Sequence, residues 1–268
     1  MIVHSLRIPF HVTKEIVRFV NMFVIEGKYC YLVDTGVAGC EKQIEDFFSS
    51  IGRSIFEIKG IFLTHAHPDH IGTAYYFREK TGCLVYASGL EKSWIEDIDL
   101  QFSQRPIPNF YVLAGHSCLV DRVLKHGDVL DLEEGIRLEV IDSSGHSTGQ
   151  LSYRIEQSLF VGDSIPLKED IPIWVDLKKS FETLTRLEQI TCVDRIYPAW
   201  DVSYNMDVFL NKIEAARNWM EQILISVKKG DPSFSLEEMV DFVCKDLAKP
   251  YLCSNPLFRI SIESCLEK

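Results

Sequence analysis

Thr64-His65-Ala66-His67-Pro68-Asp69-His70 sets four potential metal ligands within six positions. The apolar run Ile58 to Leu63 leads into it, and Ile71-Gly72-Thr73-Ala74 follows as a helical start. The stretch therefore reads as strand, loop, helix, with the ligands on the loop. In an extended segment residues i and i+2 face the same way. His65 and His67 can thus grip one cation, and Asp69 and His70, further round, a second. Neutral imidazoles and carboxylates suit zinc, iron or manganese better than calcium.

Outward from this loop, strands and helices alternate. Val17 to Ile25 and Cys30 to Val33 are β-rich runs joined by Glu26-Gly27-Lys28, a hairpin pattern. Glu41 to Ile51 has helical spacing, with Ile44, Phe47, Phe48 and Ile51 on one side. Ile71 to Lys80 reads as one helix stopped by Thr81-Gly82, and Cys83 to Ala87 as the next strand. This order predicts an α/β fold. Residues 88–124 carry Trp94, Phe102, Phe110 and Tyr111 among Pro106 and Pro108, and read as an irregular insertion that walls or covers a pocket. Four short antiparallel runs follow: Val129 to Leu132, Arg137 to Asp142, Leu151 to Ile155 and Leu159 to Val161. A helix over Phe181 to Ile190 and a strand over Arg195 to Pro198 complete a main unit, 1–204. Residues 205–268 read as a small helical extension: Val208 to Val227, a helix opened by the capping box Ser235-Leu236-Glu237-Glu238, and a third opened by Asn255-Pro256.

The 268 residues carry a net charge of −11, which argues against a phosphate-tracking nucleic-acid surface. A small anionic substrate remains compatible, because a divalent metal reverses the local charge. Hydrophobic residues make up 46% and charged ones 25%, ordinary for a soluble protein, and no apolar run reaches membrane-spanning length. The N-terminus reads as a first strand rather than a signal peptide. The eight scattered cysteines form no C-x-x-C pair, which points to a reducing, cytoplasmic home.

Three more elements follow in order: Ser144-Gly145-His146-Ser147-Thr148-Gly149, Phe160-Val161-Gly162-Asp163 and, earlier, Asp34-Thr35-Gly36 at a strand end. Each alone is weak. Taken with His-x-His-x-Asp-His, the chain resembles the metallo-β-lactamase superfamily over about residues 15–204. The resemblance implies a four-layered αββα sandwich with the metal site at one edge of the sheets. It implies His65, His67 and His146 as ligands of a first metal and Asp69 and His70 as ligands of a second. Asp163 would bridge the two, and Asp34 would orient a ligand by hydrogen bonding.

One departure stands out. The family's last ligand is usually a His after Pro-Ala or Pro-Gly, whereas this chain has Tyr197-Pro198-Ala199-Trp200-Asp201. An indole nitrogen is a donor only and cannot ligate. Either Asp201 supplies an oxygen in its place, or the second position is weak or empty. The resemblance thus implies one or two divalent ions (zinc, iron or manganese). It implies a hydrolase that uses a metal-bound hydroxide, with Asp69 handling the water's proton, on a small ester, thioester, lactone or phosphoester. The alternative is an iron protein of the same fold handling oxygen, similar to the persulfide dioxygenases. A small-molecule substrate is expected, with neither nucleic acid nor membrane as partner. The C-terminal helices offer a homodimer surface or simply pack.

Overall fold

The computed structural model describes residues 1–12, 16–168 and 170–266. The first sheet holds β1 (Ile2–His11), β2 (Val17–Glu26), β3 (Cys30–Val33), β4 (Ile58–Phe62), β5 (Leu84–Ser88) and β6 (Arg122–Leu124), side by side in that order. The β1/β2 and β2/β3 pairs are antiparallel, and β3 to β6 run parallel. Parallel neighbours need a crossover. Here α1 (Glu41–Ser50) joins β3 to β4, and α2 (Pro68–Ile71) with α3 (Ala74–Thr81) joins β4 to β5. Between β5 and β6 lie α4 (Lys92–Glu96), α5 (Ile98–Gln104) and α6 (Phe110–Ala114). The insertion read as irregular therefore holds three short helices, in pieces too short to show a helical period.

The second sheet holds β7 (Val129–Glu133), β8 (Ile136–Asp142), β9 (Leu151–Ile155), β10 (Ser158–Gly162) and β11 (Arg195–Pro198), in the order β11-β10-β9-β8-β7. It is antiparallel except for β10/β11, which α7 (Leu177–Glu188) connects as a parallel pair. Three hydrophobic clusters define four layers. Phe23, Val33 and Phe62 of the first sheet meet Leu138, Tyr153 and Phe160 of the second. The outer face of the first sheet packs α1, α3 and the insertion through Ile44, Phe48, Phe77, Ile95 and Phe110. The outer face of the second packs α7 and the C-terminal helices through Leu184, Phe209, Trp219, Val243 and Phe258. This is the expected αββα sandwich.

The C-terminal helices are α8 (Met206–Lys229), α9 (Leu236–Asp246) and α10 (Pro256–Leu266). Their starts follow the sequence: Asn205 caps Val208, Ser235 and Glu238 form the capping box, and the Asn255 side chain accepts from the Leu257 amide. They share one apolar cluster with β10 and α7 rather than enclosing their own. Among the described residues, no helix is long and apolar enough to cross a membrane.

The single helix expected over Ile71 to Lys80 is broken into α2 and α3. Pro68 at the first turn fits the start of α2. The break comes from tight docking at Gly72. Its amide donates to the Gly36 carbonyl at 2.8 Å, and the Thr35 amide donates to the His70 carbonyl at 2.8 Å. A Cβ on Gly72 would lie 2.1 Å from the Ala38 nitrogen and 2.3 Å from the Val37 carbonyl carbon. Both obstacles are backbone and cannot swing aside. Gly72→Ala is expected to destabilise the protein by roughly 1–3 kcal/mol or more, as overpacking does. A denaturant midpoint measured against wild type checks this.

Candidate metal centre

Strand ends bring the functional side chains together. The loops leaving the carboxyl ends of parallel β3, β4 and β5 carry Asp34, His65 to His70, and Glu91, the edge where open α/β sheets bind ligands. The β8–β9 loop adds His146 and the end of β10 adds Asp163. One ligand atom each from His65, His67, His146 and Asp163 lies within 4.8 Å of all the others.

The tautomers show what these atoms can do. Thr64 Oγ1 donates to the Asp34 carboxylate, so at 2.9 Å from His65 Nδ1 it accepts that ring proton. His146 Nδ1 donates to the Ile173 carbonyl at 3.0 Å. Both rings therefore turn bare Nε2 lone pairs inward. Those atoms lie 2.9 Å and 3.0 Å from His67 Nδ1. Asp163 Oδ2 lies 3.3 Å from His146 Nε2. Hydrogen bonds cannot satisfy so many acceptors at one point. A tetrahedral ion about 2.0–2.1 Å from each atom would, since the ligands would then sit roughly 3.3 Å apart. Burial, aided by the neighbouring histidines and Arg105, holds the pKa of His65 and His67 well below the usual value. Burial also pushes His146 down to about 4. All three rings are neutral at pH 7, as ligation requires.

A second group adjoins the first. His70 Nε2 lies 3.3 Å from Asp163 Oδ1 and 3.6 Å from Asp69 Oδ2. His70 Nε2 and Asp163 Oδ1 are buried and have no hydrogen-bond partner. The other His70 nitrogen lies 2.8 Å from Asp34 Oδ2, so Asp34 fixes that ring. Burial and the adjacent Asp163 raise the pKa of Asp69. Burial acts the same way on Asp163, but His70, His146 and the Trp200 indole outweigh it and hold that carboxyl at about 2.

The departure at the end of β11 takes a definite form. Trp200 Nε1 donates to Asp163 Oδ2 at 2.8 Å. The indole packs against Phe10 and Phe19, and the Arg18 guanidinium lies 4.5 Å above its ring. The expectation that Asp201 supplies the missing oxygen does not match this geometry. Asp201 Oδ2 pairs with Lys212 at 2.6 Å and Oδ1 accepts from the Val202 amide at 2.8 Å. A lysine on α8 has claimed this carboxylate. Tyr204, in the loop after Asp201, is buried and stacked on Phe209. His116 and His126 are exposed.

Sequence reading missed the residues of the insertion that hold the ligand loops. The buried Glu91 carboxylate accepts from the Ala66 amide at 3.0 Å, Ser147 Oγ at 2.8 Å and the Gly149 amide at 2.6 Å. One side chain thus ties the His65–His67 loop to the His146 loop. Gln101 Nε2 donates to the Ala66 carbonyl at 2.7 Å. Arg105, one turn on, is buried beside the centre. The strand-end argument applied to β5 as well as to β4 points to Glu91; Gln101 and Arg105 lie too far from any motif.

This fold and this cluster define a metal-binding centre. A family model described as the metallo-beta-lactamase superfamily matches residues 16–198, and the chain belongs to that superfamily. A probable metallo-hydrolase of Bacillus subtilis, YybB, is 26% identical over 220 residues, covering 80% of this chain and 89% of that protein. A hydroxyacylglutathione hydrolase of Hyphomonas neptunium is 23% identical over 213 residues, covering 76% and 74%. A metallo-beta-lactamase family protein of Thermus thermophilus superposes with a TM-score of 0.73 at 20% identity, over 98% of this chain and 90% of that one. The chain is a metallohydrolase that binds divalent metal.

Glu91→Ala would strand three buried donors, each costing about 1–3 kcal/mol. It is expected to weaken metal retention roughly 10–100-fold, as loss of a ligand-orienting partner does. Competition with a chelator at graded concentrations measures this.

Proposed function

We propose that the chain hydrolyses a small ester or thioester, with lactones and phosphoesters as related candidates. In this reading His65, His67, His146 and Asp163 hold one firmly bound metal. The observation that carries the proposal is the convergence of His65 Nε2 and His146 Nε2, both neutral, to within 3.0 Å of His67 Nδ1. Three nitrogens and one oxygen gathered at one point favour zinc. The hydroxyacylglutathione hydrolase likeness supports an acyl–sulfur bond as substrate.

When bound, a divalent metal lowers the pKa of a water from about 16 toward about 7 and polarises a carbonyl or phosphoryl oxygen. The side chains do the rest. Asp69, half-buried 3.6 Å from His70 Nε2, would take up the proton released by the attacking water. Asp163, held by the indole of Trp200, keeps its carboxylate oriented between the two groups. His70 is fixed by Asp34 and turns Nε2 toward the same space. A second metal at Asp69, His70 and Asp163 would have three protein ligands, because Trp200 fills the place of a fourth. It is expected to bind more weakly than the first.

Elemental analysis of protein purified without added metal tests this reading. About one firmly held zinc per chain is expected. His67→Ala should lose it, Asp201→Ala should keep it, and Trp200→His should raise the content toward two. Full metal content in His67→Ala would remove the ligand assignment. Iron as the native metal, with dioxygen consumed and no ester or thioester cleaved, would replace hydrolysis with oxygen chemistry.

A further inference from the structure

Arg105 is a buried cation that the metal centre itself does not use. It follows α5, whose Gln101 is bonded to the Ala66 carbonyl between His65 and His67. The Arg105 amide closes that turn onto the Gln101 carbonyl at 2.8 Å. Its backbone is thereby anchored one turn from the residue that holds the ligand loop. It is only 7% exposed. Its charge acts on Asp69, Asp163 and Glu91 and on the three histidines of the cluster.

No carboxylate pairs with it. Among the described residues, no ion pair within 4.0 Å and no side-chain hydrogen bond involves Arg105, and its buried Nε has no partner. Glu91, the nearest candidate by sequence, has spent both oxygens on Ala66, Ser147 and Gly149. An unpaired buried guanidinium is costly. The fork of donors matches an oxyanion in a bidentate grip. Asp69 and Asp163 draw their negative charge toward the metal positions, so the remaining anion must come from outside the chain.

We propose that Arg105 binds an oxyanionic group of the substrate, a carboxylate or a phosphate, and so sets specificity for substrates anionic beside the scissile bond. This rests on the hydrolytic reading of the same site, yet binding is measured without turnover. With a net charge of −11, a local cation such as Arg105 would add to the metal's pull on an anionic group.

The test is calorimetric titration of the zinc-loaded full chain with succinate and with inorganic phosphate. Arg105→Met should weaken at least one probe roughly tenfold or more while zinc content stays unchanged. The probe that loses more identifies carboxylate or phosphate as the group recognised. Arg105→Lys keeps the charge without the planar fork and should fall between the two. If Arg105→Met fails to fold, Arg105→Lys makes the comparison alone. Equal affinities in wild type and variants at full zinc content would overturn the proposal. So would loss of zinc together with the anion, because Arg105 would then be holding the ligand loop. Failure of the hydrolytic reading shows separately, as no turnover of any ester or thioester by protein that still binds the probe.

Discussion

The buried Asp34 carboxylate is the interaction on which the rest of the centre depends. It sits at the end of β3 with a left-handed backbone, φ 57°, that turns the side chain across to β4. One oxygen accepts from the Thr64 amide at 2.7 Å and the other from Thr64 Oγ1 at 2.9 Å. The second oxygen also meets His70 Nδ1. Thr64 passes the constraint on to His65 Nδ1. A single carboxylate therefore fixes the tautomer and aim of one ring in each metal-side group. The cost of burying its charge is offset because every donor around it is already held by a strand end or a helix start. The loop after β3 and the end of α2 are likewise locked together at Gly72, with no room even for a methyl group.

Much of this was legible in the chain before folding. The His-x-His-x-Asp-His run stands out by its spacing, whereas His146 and Asp163, weak alone, drew their expected roles from the family resemblance. Strand patterning located the strands except β6, and capping residues located the starts of α9 and α10. What stayed hidden has a common cause: it depends on contacts between segments far apart in sequence. Glu91 and Gln101 become meaningful only when β5 lies beside β4. The pairing of Asp201 with Lys212 requires α8 to fold back over the end of β11. Residue type gave Asp201 as a plausible oxygen ligand, and tertiary placement reassigned it.

The C-terminal helices also reach the centre by an indirect route. Ser261 on α10 accepts the Trp174 indole through its carbonyl and the Trp174 amide through Oγ, each at 3.0 Å. Its hydroxyl in turn donates to the Pro172 carbonyl at 2.9 Å. Between those two residues stands Ile173, whose carbonyl fixes His146 Nδ1. A further bond, from the Leu177 amide to Ser264 Oγ, pins the start of α7 to the same helix. Helix α10 thus holds the carbonyl that sets the orientation of a metal-side histidine. The extension is part of the site's scaffold as well as of the apolar cluster it shares with β10.

Trp200 is best understood through the oxygen it contacts. A neutral imidazole at that position would offer a lone pair to a cation, whereas the indole offers only a proton. It spends that proton on Asp163 Oδ2, the oxygen that also lies 3.3 Å from His146 Nε2. The indole therefore brings a proton, where an imidazole would bring a lone pair, to the Asp163 carboxylate. It drains electron density from the oxygen on the His146 side and leaves Oδ1, toward His70, without a protein partner. The stacked Arg18, held by Asp170, and the flanking phenylalanines keep the ring in that pose. Under the proposed ligand assignment the two positions would be unequal, with four protein ligands at one and three at the other.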